Sequence, residues 1–207
     1  MADTGLTIVG TGASVAGSGV DWTNPSNVTT EANYAEADLP KNDGLSDYLR
    51  GTNLGFSVPS GATIDGIELQ ISHQAEHDAS TPEFVDEFVF LCENGSIISG
   101  CTNKASATPW DHVQETYTYG GASDTWNCSL TPAIVNSSTF GGQMMAKNGE
   151  TSGGQWGRVY WIKITVYYTE SGGSNNIKSI ASVVQSSIKS IVGVAEANIK
   201  SVAGVSN

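Results

Sequence analysis

The 207-residue sequence predicts an all-β fold: an antiparallel two-sheet β-sandwich, jelly-roll-like, followed by a short repetitive C-terminal tail. Three observations carry this. The run "RVYWIKITVYYTE" alternates strictly over a dozen residues, the signature of a strand with one face on a core. Short apolar runs are separated by Gly, Asn, Asp and Ser turns, with 24 glycines and only 14% charged residues. Finally, an Ile-Lys-Ser-Ile/Val phrase returns every eleven residues near the C-terminus.

Taken in chain order, "FSVPSGA" predicts a turn at Pro59-Ser60-Gly61 between two strands, and "ATIDGIELQIS" a strand with Ile67, Leu69 and Ile71 inward and Glu68, Gln70 and Ser72 outward. Glu83 to Cys92 reads as a strand ended by an Asn94-Gly95 hairpin turn, with Ile97 and Ile98 on the return. Further strands are predicted at Glu115 to Tyr119 and Gly142 to Ala146. The one helical signal is "LTPAIVNSS", where Thr131 can cap and Pro132 suits the first helical position. In the last strand the alternation places Tyr160, Ile162, Ile164, Val166 and Tyr168 inward and Trp161, Lys163, Thr165 and Tyr167 outward. A closed barrel is the alternative arrangement of such strands. The domain limits follow: a sandwich over 1–170, a Gly/Ser/Asn linker over 171–176, and three eleven-residue repeats over 177–207.

Charge separates the two parts. Residues 1–170 hold 20 of the 21 acids and six of the nine bases, a net −14, while Lys178, Lys189 and Lys200 against Glu196 leave the tail at +2. An acidic body lacking clustered Lys and Arg argues against nucleic acid as a partner and for solubility at high copy number. Cys92, Cys101 and Cys128 are an odd set without a C-x-x-C pair, so at most one bridge can form and no zinc knuckle is indicated. The opening "MADTGLTIVGTG" has no leader character and no apolar run reaches membrane-spanning length, so synthesis in a cytoplasm is expected.

In the tail, Ile177, Ile180 and Val183 are echoed by Ile188, Ile191 and Val194, and again by Ile199, Val202 and Val205. Each unit is too small to hide its own apolar side chains, so neighbouring repeats or neighbouring chains must cover them. An eleven-residue period suits a right-handed coiled coil, with Ile177, Ile180, Ala181, Val184 and Ile188 on one stripe. The Ile/Val/Ser content, with Gly193 and Gly204, favours short β-segments instead. Either geometry makes these nine Ile/Val positions an oligomerisation or docking element.

The chemistry-bearing motifs are few. "HQAEH", His73 to His77, matches an inverted zinc-protease signature, but that chemistry needs a helix and these residues continue a strand. Glu83, Asp86 and Glu87, or Asp38, Asp43 and Asp47, could gather around Ca²⁺, although neither set has calcium-loop spacing. Trp22, Trp110, Trp126, Trp156 and Trp161 raise a carbohydrate-binding reading, with Trp161, on the outward face, the leading glycan contact. Four N-x-S/T sequons, at Asn27, Asn94, Asn127 and Asn136, would matter only in a secretory setting. No phosphate-binding loop, dinucleotide fingerprint or nucleophile elbow occurs, so no enzyme, cofactor or metal is expected.

The runs "YLRGTNLGFSVPSGATIDGIELQIS", "ETYTYGGASDTWNCSLTPAIVNSSTFGGQMMA" and "YWIKITVYYT", spread over 22–170, resemble a family of jelly-roll-like virion components of tailed phages. Separately, "IKSIVGVAEANIKSVAGV" is similar to the repeats that end or begin phage fibre and decoration proteins, with Ser182 departing from the Gly of the other two units. The resemblance implies a structural virion protein, a fibre or capsid-decoration subunit, homo-oligomeric and by analogy trimeric, contacting itself and other virion proteins. It supplies turn and core residues and no catalytic one. A carbohydrate-binding adhesin for host-surface glycan is the alternative expectation.

Overall fold

The computed structural model describes residues 1–75, 84–151 and 153–171, and the backbone of 190–191 and 194–195. Two compact units are present, Met1–Thr169 and Glu170–Asn207.

The first unit is an antiparallel β-sandwich. Its strands are β1 (Ala2–Asp3), β2 (Thr7–Ile8), β3 (Thr11–Val15), β4 (Ala35–Leu39), β5 (Gly44–Leu45), β6 (Tyr48–Thr52), β7 (Thr63–Ala75), β8 (Phe84–Glu93), β9 (Ser96–Ile97), β10 (Glu115–Gly120), β11 (Gly141–Asn148) and β12 (Gln155–Thr169). One sheet runs β1-β12-β7-β10, with β2 and β4 also on β12. The other runs β3-β6-β11-β8-β9, with β5 on β11. Two separate sheets, not a closed barrel, face each other across a core that includes Leu69, Ile71, Ile162, Ile164 and Val166 from the first and Leu49, Val89, Leu91 and Met144 from the second. In the second unit, β13 (Ser190–Ile191) pairs antiparallel with β14 (Val194–Ala195).

The expected strands from 83 onward appear as β8 to β12, and the helix as α1 (Pro132–Val135), whose Thr131 side chain accepts a hydrogen bond from the Ile134 amide. "FSV" is not a strand. Val58 instead gives its N–H to Asn136 Oδ1 and its C=O to Asn136 Nδ2, each at 2.8 Å, so a side-chain amide replaces a neighbouring strand.

Two bulges displace faces that alternation assigns. In β12, Val159 lies opposite His73 and Trp161 opposite Ser72, leaving Tyr160 as an extra residue. The core face is therefore Gly157 and Val159 before the bulge and Ile162, Ile164 and Val166 after it. Tyr160, expected inward, lies half-buried on the outer face, edge-on to Tyr34 and donating to Gln74 Oε1 at 2.6 Å. In β8, Asp86 opposes Ala146 and Phe88 opposes Met145, so Glu87 is the extra residue. Counting back by twos from inward Leu91 and Val89 would turn Asp86 to solvent, whereas the bulge turns it into the core.

The middle of the second sheet is closely built around glycine. A Cβ on Gly141 would fall onto the backbone carbonyl of Gly51 and stand 2.9 Å from the Thr52 Cα. Backbone cannot swing aside as a flexible side chain would. Gly141→Ala is therefore expected to cost about 3 kcal/mol or more, measured as a lowered urea midpoint with unchanged slope.

Candidate functional site

The outer face of the second sheet carries a shallow groove of about 250 Å³, lined by Val15, Ala16, Tyr48, Arg50, Gly95, Ser96, Ile97 and Gln143. Its construction follows from strand pairing. Arg50 of β6 lies directly across from Gln143 of β11, so their side chains project together, and Arg50 Nε donates to Gln143 Oε1 at 3.0 Å. The rim is the hairpin joining β8 to β9. Glu93 pairs with Ser96, and Asn94 and Gly95 occupy the two turn positions with φ of 49° and 81°, the left-handed geometry Asn-Gly favours. Thr139 holds this turn through Asn94 N and Oδ1, and Arg50 Nη2 donates to the Gly95 carbonyl at 2.8 Å.

Arg50 is thus pinned by two neutral acceptors. Lys104, Lys147, Arg158 and Lys163 are each paired with a carboxylate, but Arg50 has no ion-pair partner among the described residues. Beneath the same face lies Cys92, whose thiol burial pushes up to about 12 against the pull of Arg50. Sequence reading missed this groove because it is assembled from four strands, β3, β6, β9 and β11, and one turn. The only local signal was Asn94-Gly95.

A second polar cluster is sealed inside the sandwich. His73 continues strand β7, as expected, but is fully buried there and stacks between Trp110 and Tyr117 at 3.8 and 4.1 Å between ring centres. Asp86 accepts from Trp110 Nε1 and Tyr119 Oη, both at 2.8 Å, and from the Ser106 amide at 3.1 Å. His73 Nε2 lies 3.5 Å from Tyr119 Oη, whose own proton goes to Asp86, and the buried His73 Nδ1 has no hydrogen-bond partner among the described residues. Burial lowers the His73 pKa to about 3 and raises that of Asp86, which the three donors partly offset. The cluster joins both sheets, with His73, Asp86, Trp110 and Tyr119 buried and Tyr117 half-buried at its edge.

The remaining candidates are placed as follows. Glu76 and His77 of the H-x-x-E-H run, and Glu83 of one acidic set, lie outside the described residues. Among those described, no three His, Cys, Asp or Glu side chains converge as a metal set. Asp47 accepts from the amides of Gly17, Ser18 and Gly19, which hold its pKa down and shape that loop. Trp161 is corrected: it is only 8% exposed, with the Lys163 ammonium 4.2 Å from its ring centre and fixed by Glu31 at 2.6 Å. The open indole face that a glycan contact needs is not there. Trp22, Trp110 and Trp126 are buried with their indole N–H groups donating to Asp47 O, Asp86 and Ile67 O, and Arg158 covers Trp156. Cys101 and Cys128 form a disulfide, leaving Cys92 free and buried.

Of the nine tail positions, only the backbone of Ile191 and Val194 is described, and these two face each other in the β13–β14 pair. Ile177, Ile180, Val183, Ile188, Ile199, Val202 and Val205 lie outside the described residues. No protein-family model matches the chain, and no curated protein matches it.

Proposed function

We propose that this protein is a structural subunit of a phage-like particle, a fibre or decoration component that displays its acidic sandwich and joins copies through its C-terminal repeats. The observation that carries the reading is the threefold return of Ile-Lys-Ser-Ile/Val with its trailing Val at eleven-residue intervals. Units of that size leave their apolar side chains uncovered, and covering them with the same units from other chains yields a closed homo-oligomer, trimeric as the first expectation. The antiparallel pairing of 190–191 with 194–195 supports the β form of the repeat over the helical one. The sandwich has its own continuous core and two layers, so it can be displayed without help from the tail. Its partners in this reading are itself and other virion proteins.

Native mass measurement on the full chain and on a form ending at Ser171 tests the proposal. The full chain is expected to run as a defined oligomer, and the shortened form as a monomer of unchanged circular dichroism. A monomer in both cases overturns it, as does an oligomer that survives the truncation.

The second reading, an adhesin that engages host-surface glycan, is favoured by one observation: the Arg50 groove is an outward-facing recess whose guanidinium has uncommitted donors. It draws its support from there and not from Trp161.

A further inference from the structure

We infer that the Arg50 groove binds a sugar carboxylate, an acidic saccharide unit seated with its carboxyl on the guanidinium and its ring against Tyr48 and Ile97. This rests on the adhesin reading and names the ligand class it would require.

A guanidinium has five N–H donors in one plane. Arg50 spends one on Gln143 Oε1 and one on Gly95 O, which fixes the plane and leaves three without an acceptor in the described structure. Two fixed points cut the conformational cost of binding, because the side chain is already ordered before a ligand arrives. The free donors suit a planar acceptor with two oxygens, and carboxylate meets that geometry bidentately.

Charge selects the same partner. At long range the body's excess of acids disfavours any anion, but locally Lys104, Lys147, Arg158 and Lys163 each have a carboxylate, whereas Arg50, like the exposed Lys41, has none among the described residues. Arg50 stands apart on a strand whose cross-strand neighbours are Ala13 and Gln143, neither of them acidic. An anion from outside is its natural counter-charge.

Size and wall chemistry narrow the class. About 250 Å³ holds a single small ring and little more. Tyr48 is half-buried with its ring on the groove wall, Ile97 is 37% exposed and Val15 is partly exposed, which gives apolar surface for the C–H face of a pyranose. Ser96 is exposed on the rim, where its hydroxyl can meet a sugar hydroxyl. Inorganic phosphate or acetate would satisfy the guanidinium alone and leave these walls unused.

The test is ¹H–¹⁵N NMR titration of the full chain, reading the Arg50 Nε–H, Tyr48, Ser96 and Gln143 signals. The probes are glucuronate, N-acetylneuraminate, glucose, acetate and phosphate, each as the free compound, followed by glycan-array binding of the assembled protein. An acidic sugar is expected to shift those four residues with saturable, millimolar-range affinity, at least tenfold tighter than glucose, acetate or phosphate. Arg50→Gln is expected to weaken it by at least tenfold. Ser96→Glu leaves Arg50 and the strands in place and supplies a competing carboxylate at the rim, so it should abolish binding even if Arg50→Gln disturbs the hairpin. Equal response to acetate or phosphate reduces the groove to a general anion site and overturns the proposal. So does binding that persists in Ser96→Glu. Array binding confined to neutral glycans overturns the acidic ligand but keeps the adhesin reading, whereas no glycan signal in any arm removes both.

Discussion

Replacing Asp86 by Ala will lower the unfolding free energy by about 3 kcal/mol or more. The carboxylate collects three donors from two different parts of the chain: the Trp110 indole and Ser106 amide from the segment between β9 and β10, and the Tyr119 hydroxyl from β10. Trp110 is 1% and Tyr119 5% exposed, so water cannot replace the lost acceptor without opening the core. Each stranded donor then carries its full desolvation cost, on top of the hydrogen bond to a charged group worth roughly 1.5–3 kcal/mol. Urea unfolding should show a midpoint lower by ~1–2 M at unchanged slope. Asp86→Asn keeps one carbonyl oxygen but turns an amide N–H₂ toward a donor, so it should fall between wild type and Ala. A wild-type midpoint for Asp86→Ala would show that the network contributes nothing net.

The second large effect is acid sensitivity through His73. Its pKa is about 3 in the folded protein against 6.5 for a free imidazole, because burial disfavours the cation. Between those values the unfolded chain binds a proton that the native chain refuses, so stability declines as pH falls below about 6.5 and continues to decline until about 3. Within that window the slope approaches ~1.4 kcal/mol per pH unit, and the full loss is on the order of 4 kcal/mol. Asp86 works in the opposite sense: with its pKa raised above 3.8 by burial, the native state binds the extra proton above that value and gains stability as pH falls there. Asp47 and Asp124, whose pKa values are lowered, lose their contribution only below 3.8. The His73 contribution is therefore read as the difference between wild type and a His73 variant below pH 6.5, since Asp86 is present in both. Urea midpoints for wild type should drop across that range, and His73→Phe, which keeps a ring between Trp110 and Tyr117, should flatten the drop while losing some stability at pH 7. An identical pH slope in the variant would remove His73 as the cause.

These two residues show where a one-dimensional reading ends. Strand positions from Ile67 to Ile71 were legible because each side chain answers only to the pleat: alternate residues meet the core, and the apolar ones are those. The Asn94-Gly95 turn and the Thr131-Pro132 helix start were legible because their geometry is a property of two or three adjacent residues. Tyr160 was misplaced, and alternation gives no inward place to Asp86, because a bulge shifts the count by one, and a bulge is decided by what the opposite strand requires, here Ala146 beside Met145 and His73 beside Ser72. His73 carried a motif that belongs to helices, and its place in a strand between two aromatic rings is set by residues 37 and 44 positions further on.

By itself, then, the chain order determined the sandwich, the six strands from β7 to β12 and the repetition of the tail, since these depend on periodicity and on local backbone preference, while the short strands β1 to β6 carry too little alternation to be read. Only tertiary packing decided that Trp161 lies under Lys163, that one charged pair of sheets encloses a His, an Asp and two Tyr, and that Arg50 stands beside Gln143 and Gly95 with donors to spare. The reason is range: Arg50 and Gln143 are 93 positions apart, Asp86 and Tyr119 33, and Lys163 is held over Trp161 by Glu31, 132 positions earlier, separations that no local pattern records.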